Sequence, residues 1–110
     1  MSELPLEVSC QETKTLVDAA DAVLIDCREE DEHQLVHIAG ARLTPMSELA
    51  ARVEDLRPLA DQRLIVHCHH GMRSAQVAVW LRQNGFERAQ SMAGGIDRWS
   101  DEIDPSLPKY

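Results

Sequence analysis

Strands alternating with helices predict a parallel α/β sheet covered on both faces. Two runs, Ala22-Val23-Leu24-Ile25-Asp26-Cys27 and Leu64-Ile65-Val66-His67, stay apolar until they end in polar groups, the mark of strands buried on both sides. Helical signals separate the two runs and follow the second, as a sheet built from strand–helix–strand units requires. At 110 residues the whole chain, 1–110, reads as one domain that buries a core without a metal or disulfide staple.

Taken in order, Leu6-Glu7-Val8 opens as a short strand. Ser9 with Glu12 three residues on is the capping-box pattern of a helix that turns Leu16, Val17 and Ala20 inward. Beyond the strand at 22–27, Arg28 to Glu32 form a charged turn or short helix, and the run Glu29-Glu30-Asp31-Glu32 reads as a solvated helix start. His37 to Leu43 give a turn at Gly40 and a short strand. Pro45 and Ser47 precede a helix reaching about Val53, and Pro58 ends any continuation. The strand at 64–67 is central, and a helix over 74–84 closes at Asn84-Gly85. Ala89-Gln90-Ser91-Met92 is a weak strand, Gly94-Gly95 a tight bend, and Ile96 to Trp99 begin a last short helix. Pro105 and Pro108 make the tail irregular, so 1–5 and 103–110 are expected to be flexible ends.

Composition excludes several classes of function. A formal net charge of −8 argues against nucleic acid or an anionic membrane as partner, since either needs a basic face. No apolar run approaches the ~20 residues of a membrane span. Met1-Ser2-Glu3-Leu4-Pro5 carries neither the basic nor the apolar part of a secretory leader. Cys10, Cys27 and Cys68 match no zinc spacing and form no even set of pairs. A reducing, cytoplasmic setting is therefore expected, in which Cys68 stays free.

Chemistry concentrates in Cys68-His69-His70-Gly71-Met72-Arg73-Ser74, between the central strand and the following helix. A helix start presents unpaired N–H groups and the positive end of a dipole, so a thiol held there is pushed toward thiolate. Gly71 allows a positive φ, which lets successive N–H groups point at one centre. Arg73 adds a cation that stays protonated at neutral pH. In open α/β sheets ligands sit beyond the strand carboxyl ends, where Cys68 falls.

Four stretches, in this order along nearly the whole chain, resemble the rhodanese-like domain of single-domain sulfurtransferases. Leu24-Ile25-Asp26-Cys27-Arg28-Glu29 is similar to its apolar-apolar-Asp-x-Arg-Glu signature, and His37-Ile38-Ala39-Gly40-Ala41 to its Gly-His-Ile-x-Gly-Ala stretch, with Val36 where glycine is usual. Residues 68–74 resemble its Cys-x-x-Gly-x-Arg-Ser loop, and Gly94-Gly95-Ile96-Asp97-Arg98-Trp99 its Gly-Gly-x-x-x-Trp. The resemblance implies a mostly parallel five-stranded sheet with helices on both faces and the loop at its centre. It implies that Cys68 takes a sulfane sulfur from a small anionic donor such as thiosulfate and passes it, through a persulfide, to a thiol or cyanide-like acceptor. No cofactor and no metal are expected, and a sulfur-accepting protein is a further candidate partner. The alternative is a non-catalytic or sulfur-carrier module acting through a protein partner.

Several other residues admit two readings. Arg73 either holds the donor and supports the loop or pairs with an acid elsewhere; Ser74 either donates to the cysteine sulfur or caps the helix. His69 and His70 are polar, partly positive mouth residues, and Met72 lines a wall or fills a gap. Asp26 and Arg28 flank the loop, more readily as a buried pair pinning turns than as catalysts. His37 is a hydrogen-bonded turn residue, Cys27 a small buried hydrophobe, and Trp80 and Trp99 are packing residues; Cys10, in the first helical turn, has no resolving role unless it lies close to Cys68. A cysteine phosphatase would space its cysteine and arginine as Cys-x5-Arg, whereas Cys68 and Arg73 enclose four residues. Adjacent His67, Cys68, His69 and His70 match no common metal-ligand spacing.

Overall fold

The computed structural model describes residues 4–110. Five parallel strands form one sheet in the order β1-β5-β4-β2-β3, with β1 Glu7–Val8, β2 Val23–Asp26, β3 Arg42–Leu43, β4 Leu64–His67 and β5 Ala89–Met92. Every pairing is parallel, where the resemblance implied mostly parallel. β4 lies at the centre, and all four of its residues are buried, as are all four of β5, which is therefore no marginal strand.

The period of the strands sorts their side chains to two layers. Ile25, Cys27, Leu64, Val66 and Cys68 face one way, against Leu49 and Leu56 of α3 (Leu49–Leu56) and Val77, Ala78 and Leu81 of α4 (Met72–Gln83). Leu24 and Ile65 face the other way, against Cys10 of α1 (Cys10–Asp18) and Ile96 and Trp99 of α5 (Gly95–Glu102). Both faces are thus covered, which is why the runs in β2 and β4 show no polar alternation.

Several boundaries differ from expectation. Ser9 caps α1 by accepting from the Glu12 N–H at 3.0 Å, but the Glu12 side chain reaches Arg63 instead of returning to Ser9, so the box is half made. α1 ends before Ala20, which is exposed at φ 60, so Ala20 does not turn inward; Cys10 and Thr13 are the buried residues of this helix. α3 runs to Leu56 rather than Val53, and Pro58 sits inside a following 3-10 turn, where its missing N–H is not needed. α4 starts at Met72, two residues earlier than the predicted 74, because Gly71 rather than a side chain turns the chain into it.

Of the ends expected to be flexible, residues 1–3 lie outside the described residues. The carbonyls of Leu4 and Pro5 accept from Arg82, at 3.1 and 3.0 Å. The segment beyond Ile103 has no regular element, yet Lys109 bonds to Asp97 and Asp101, at 3.0 Å each, and Tyr110 reaches Arg28 and Glu32. No helix among the described residues is long and apolar enough to cross a membrane.

Candidate active site

Cys68 is the first residue past β4, and the loop behind it curls until Gly71, at φ 110, starts α4. That positive φ turns the Gly71 N–H inward to donate to the Cys68 sulfur at 3.0 Å, and the Ser74 N–H donates at 3.3 Å. The outer side of the loop is fastened by the start of α5, where the Ile96 and Asp97 N–H groups donate to the carbonyls of Cys68 and His69 at 2.9 and 3.1 Å. Gly95 makes this approach possible: a Cβ there would stand 2.4 Å from the His69 carbonyl oxygen. The glycine pair expected to supply only a bend thus lets two backbones touch.

Cys68 is 1% exposed and its thiol is strongly acidic, lowered to about 4. The largest cause is the neighbouring Cys27 thiol; burial opposes it, and the Ser74 hydroxyl and the Ser74 and Gly71 amides add to it. Cys27 itself is pushed far up, by the neighbouring Cys68 sulfur and by burial, and so remains a thiol beside the thiolate. Ser74 does not cap α4. Its hydroxyl lies 3.4 Å from the Cys68 sulfur, 2.7 Å from the buried Ser91 hydroxyl of β5 and 3.2 Å from the Gly71 carbonyl, to which it can also donate.

Arg73 settles on the acid-pairing alternative. Its Nη1 and Nη2 donate to Glu32 Oε1 and Oε2 at 2.7 and 2.9 Å, so its two terminal nitrogens already hold a carboxylate within the protein. Glu32 is correspondingly lowered to about 2, chiefly by Arg73. This corrects the solvated reading of the acidic run: α2 (Glu30–Leu35) starts there, but Glu32 also accepts from the Glu29 N–H at 3.1 Å and from the Tyr110 hydroxyl at 2.9 Å.

Asp26 and Arg28 form the buried pair. Arg28 Nε and Nη2 donate to Asp26 at 3.0 and 2.8 Å, Nη2 also to the Val36 carbonyl at 2.7 Å, and Nη1 to Tyr110 at 2.9 Å. Asp26 shares its face of the sheet with His67, 3.7 Å away, opposite in facing to Cys68. The pair therefore braces the loop's surroundings without touching the sulfur.

The mouth is built differently from expectation. Met72 is 78% exposed and fills no gap, because it heads α4 on its outer side. His69 is stacked between the rings of His70, at 3.9 Å, and Tyr110, at 4.0 Å. Burial and the neighbouring His70 lower the His69 pKa, so its ring is neutral at neutral pH, not partly positive. His69, His70 and Asp97 present ligand atoms within 4.8 Å of one another, but Lys109 already holds the Asp97 carboxylate. His37 is an exposed turn residue 3.0 Å from the His33 carbonyl. Trp99 is buried in the core and Trp80 packs at its margin. Cys10 lies in the opposite layer from Cys68, with its thiol raised to about 11 mainly by burial.

Neither Glu32, Ser91 nor Tyr110 was singled out by sequence. A legible signal did exist for Cys27, since Ile25-Asp26-Cys27 and Val66-His67-Cys68 end their strands in the same phase.

The sequence profile of the Rhodanese-like domain matches residues 9–102. The chain belongs to this family. Rhodanese-like relatives include the thiosulfate sulfurtransferase GlpE of Pseudoalteromonas translucida, 34% identical over 92 residues that cover 84% of this chain and 86% of that protein. The Rhodanese-like/PpiC domain-containing protein 12 of Arabidopsis thaliana, described as chloroplastic, is 36% identical over 94 residues; the match covers 82% of this chain but only 31% of that protein. A rhodanese-related protein of Thermoplasma volcanium superposes with a TM-score of 0.82 at 26% identity, covering 96% of this chain and 100% of the other. The all-parallel α/β sheet is thus the rhodanese fold, with Cys68 at the carboxyl end of its central strand.

Proposed function

We propose that the protein is a sulfurtransferase that moves a sulfane sulfur from a small anionic donor such as thiosulfate to a thiol or cyanide-like acceptor, through a persulfide on Cys68. The observation that carries this reading is the Cys68 sulfur itself, buried and met by the Gly71 and Ser74 amides. The Cys68 thiolate attacks the terminal sulfur of thiosulfate; the new S–S bond forms as the old one breaks, and sulfite leaves with the electron pair. The persulfide anion then lies among the loop amides at the start of α4, where a single well-placed donor is worth ~3 kcal/mol. An acceptor nucleophile takes the outer sulfur and returns Cys68 to thiolate.

Gly71 and Ser74 act on the sulfur directly, while Arg73 holds the loop through Glu32. His69 and His70 form the rim. Asp26 and Arg28 support rather than react. The reading supposes a reducing, cytoplasmic-type compartment, and the cysteines are all free thiols. No step calls for a cofactor. Physical charge supports a small donor: Arg73 is neutralised by Glu32, so the attraction for an anion comes from short-range amide dipoles.

Intact-mass measurement after incubation with thiosulfate tests the reading. Wild type is expected to gain one sulfur atom that cyanide removes, and Cys68→Ser to gain none. A wild-type mass unchanged across thiosulfate, a mercapto acid donor and a glutathione persulfide would overturn it in favour of a binding module.

A further inference from the structure

Cys27 is a second sulfur in the site that transfer to an outside acceptor does not use. β2 and β4 pair in register through Asp26 and His67, and the ladder continues one step further, with the Cys27 N–H donating to the His67 carbonyl at 3.1 Å. Cys27 and Cys68 are therefore the next residues across from each other on adjacent parallel strands. Their side chains share one face and one cluster of the core, and neither is more than 1% exposed. Neighbouring strands lie about 4.8 Å apart, inside the Cα separation of ~4.4–6.8 Å that a disulfide spans. The loop amides approach the Cys68 sulfur from the collar, whereas Cys27 approaches it from the neighbouring strand.

We propose that Cys27 is a resolving thiol, which attacks Cys68 when it carries the sulfane sulfur, releases that sulfur as hydrosulfide and leaves a Cys27–Cys68 disulfide. The inference rests on the persulfide reading above and adds a second outcome for the loaded state. A bond forms between the Cys27 and Cys68 sulfurs as the bond from Cys68 to the outer sulfur breaks. The Cys27 sulfur is oxidised from thiol to disulfide level, the Cys68 sulfur stays at that level, and the outer sulfur is reduced to sulfide. The anionic outer sulfur takes the Cys27 proton, which leaves Cys27 as the attacking thiolate, so persulfide anion plus thiol become disulfide plus hydrosulfide anion, with no outside oxidant. A soluble thiol then reduces the disulfide and restores the site. Cys10 takes no part, since it lies in the other layer of the core.

The test loads the full chain with thiosulfate, removes the donor, and follows it without acceptor by intact mass, hydrosulfide trapping and non-reducing peptide mapping. Wild type is expected to gain one sulfur, then fall to two hydrogens below the reduced protein. One hydrosulfide should appear per disulfide, and the cross-linked peptide should join Cys27 to Cys68. Cys27→Ser keeps a hydroxyl donor beside Cys68 and is expected to hold the sulfur at least tenfold longer; Cys10→Ser should decay as wild type does. The proposal is overturned if wild type retains its sulfur with no cross-linked peptide, or if the disulfide involves Cys10. That result differs from the failure of the persulfide reading itself, in which no sulfur is gained at all. The wild-type peptide map decides the matter even if Cys27→Ser folds poorly.

Discussion

Arg73 and Glu32 meet in two parallel hydrogen bonds, 2.7 and 2.9 Å long, across 41 residues of sequence. Their geometry ties the first turn of α4 to the first turn of α2, so the nucleophile loop is clamped from a neighbouring element. Glu32 accepts from Tyr110 and the Glu29 N–H as well, which gives its two oxygens four donors.

Removing the charge from this pair should loosen the loop more than it perturbs the sheet. Glu32→Gln is expected to cost about 1.5–3 kcal/mol, the range for hydrogen bonds to charged groups, and to slow sulfur uptake. Arg73→Lys should not rescue it, because an ammonium cannot make the two-pronged contact. Denaturant midpoints and uptake rates check both, and a Glu32→Gln protein equal to wild type in each would refute the clamp.

The acidity of Cys68 makes a distinct pH signature. With the thiol lowered to about 4, alkylation of Cys68 by iodoacetamide should be nearly flat with pH from about 6 to 8. An ordinary thiol would instead quicken up to its pKa of about 8.5. Ser74→Ala should raise the midpoint by about one unit, the scale of one hydrogen bond lost to a charged acceptor. A steep rise in wild-type rate through neutral pH would contradict the thiolate.

The same shift has a consequence for stability. Between about 4 and 8.5 the unfolded chain keeps a proton on this sulfur that the native state has lost, so stability rises with pH by about 1.4 kcal/mol per unit from this group. Below about 6.5 buried His67, lowered mainly by burial, adds to the slope, because only the unfolded chain takes up its proton. Acidification therefore destabilises the fold, with the Cys68 contribution lost as pH falls toward about 4. Urea midpoints from pH 5 to 8 should show the slope, and Cys68→Ser should flatten it above about 6.5 and leave only the His67 part below.

Gly95 should tolerate no side chain. Its φ of 61 strains any L-residue, and a Cβ would strike the His69 and Cys68 carbonyls at 2.4 and 2.6 Å. Gly95→Ala is expected to destabilise by more than about 1 kcal/mol and to disturb the collar, seen as a raised Cys68 pKa. Gly40→Ala, where nothing lies within 4 Å, should leave that pKa unmoved.

Tyr110 joins Arg28 to Glu32 and covers His69. Tyr110→Phe keeps the stacked ring and loses the two hydrogen bonds, an expected cost of about 1 kcal/mol. Tyr110→Ala also bares His69, which should make His69 more readily modified by diethylpyrocarbonate. Equal His69 reactivity in wild type and Tyr110→Ala would show that the ring does not shield it.

Much of this was determined by sequence alone. The unbroken apolar runs in β2 and β4 fix a sheet buried on both sides, since period and burial act within a single strand. The loop after β4 is likewise local: Cys68, Gly71 and Ser74 lie within seven consecutive residues, so chain geometry brings the amides to the sulfur. Even the start of α4 depended on a local property, the positive φ open to Gly71, although a polar side chain looked the better cap.

Only the tertiary structure decided which distant groups complete the site. Glu32 is one acid in a run of four, and nothing within α2 distinguishes the one that meets Arg73. Tyr110 lies beyond two prolines, with no periodicity to say where it docks. Cys27 looked like a small hydrophobe until the register of β2 against β4 set it across from Cys68. These partners are chosen by strand order and by the packing of helices on the sheet, which no spacing along the chain encodes.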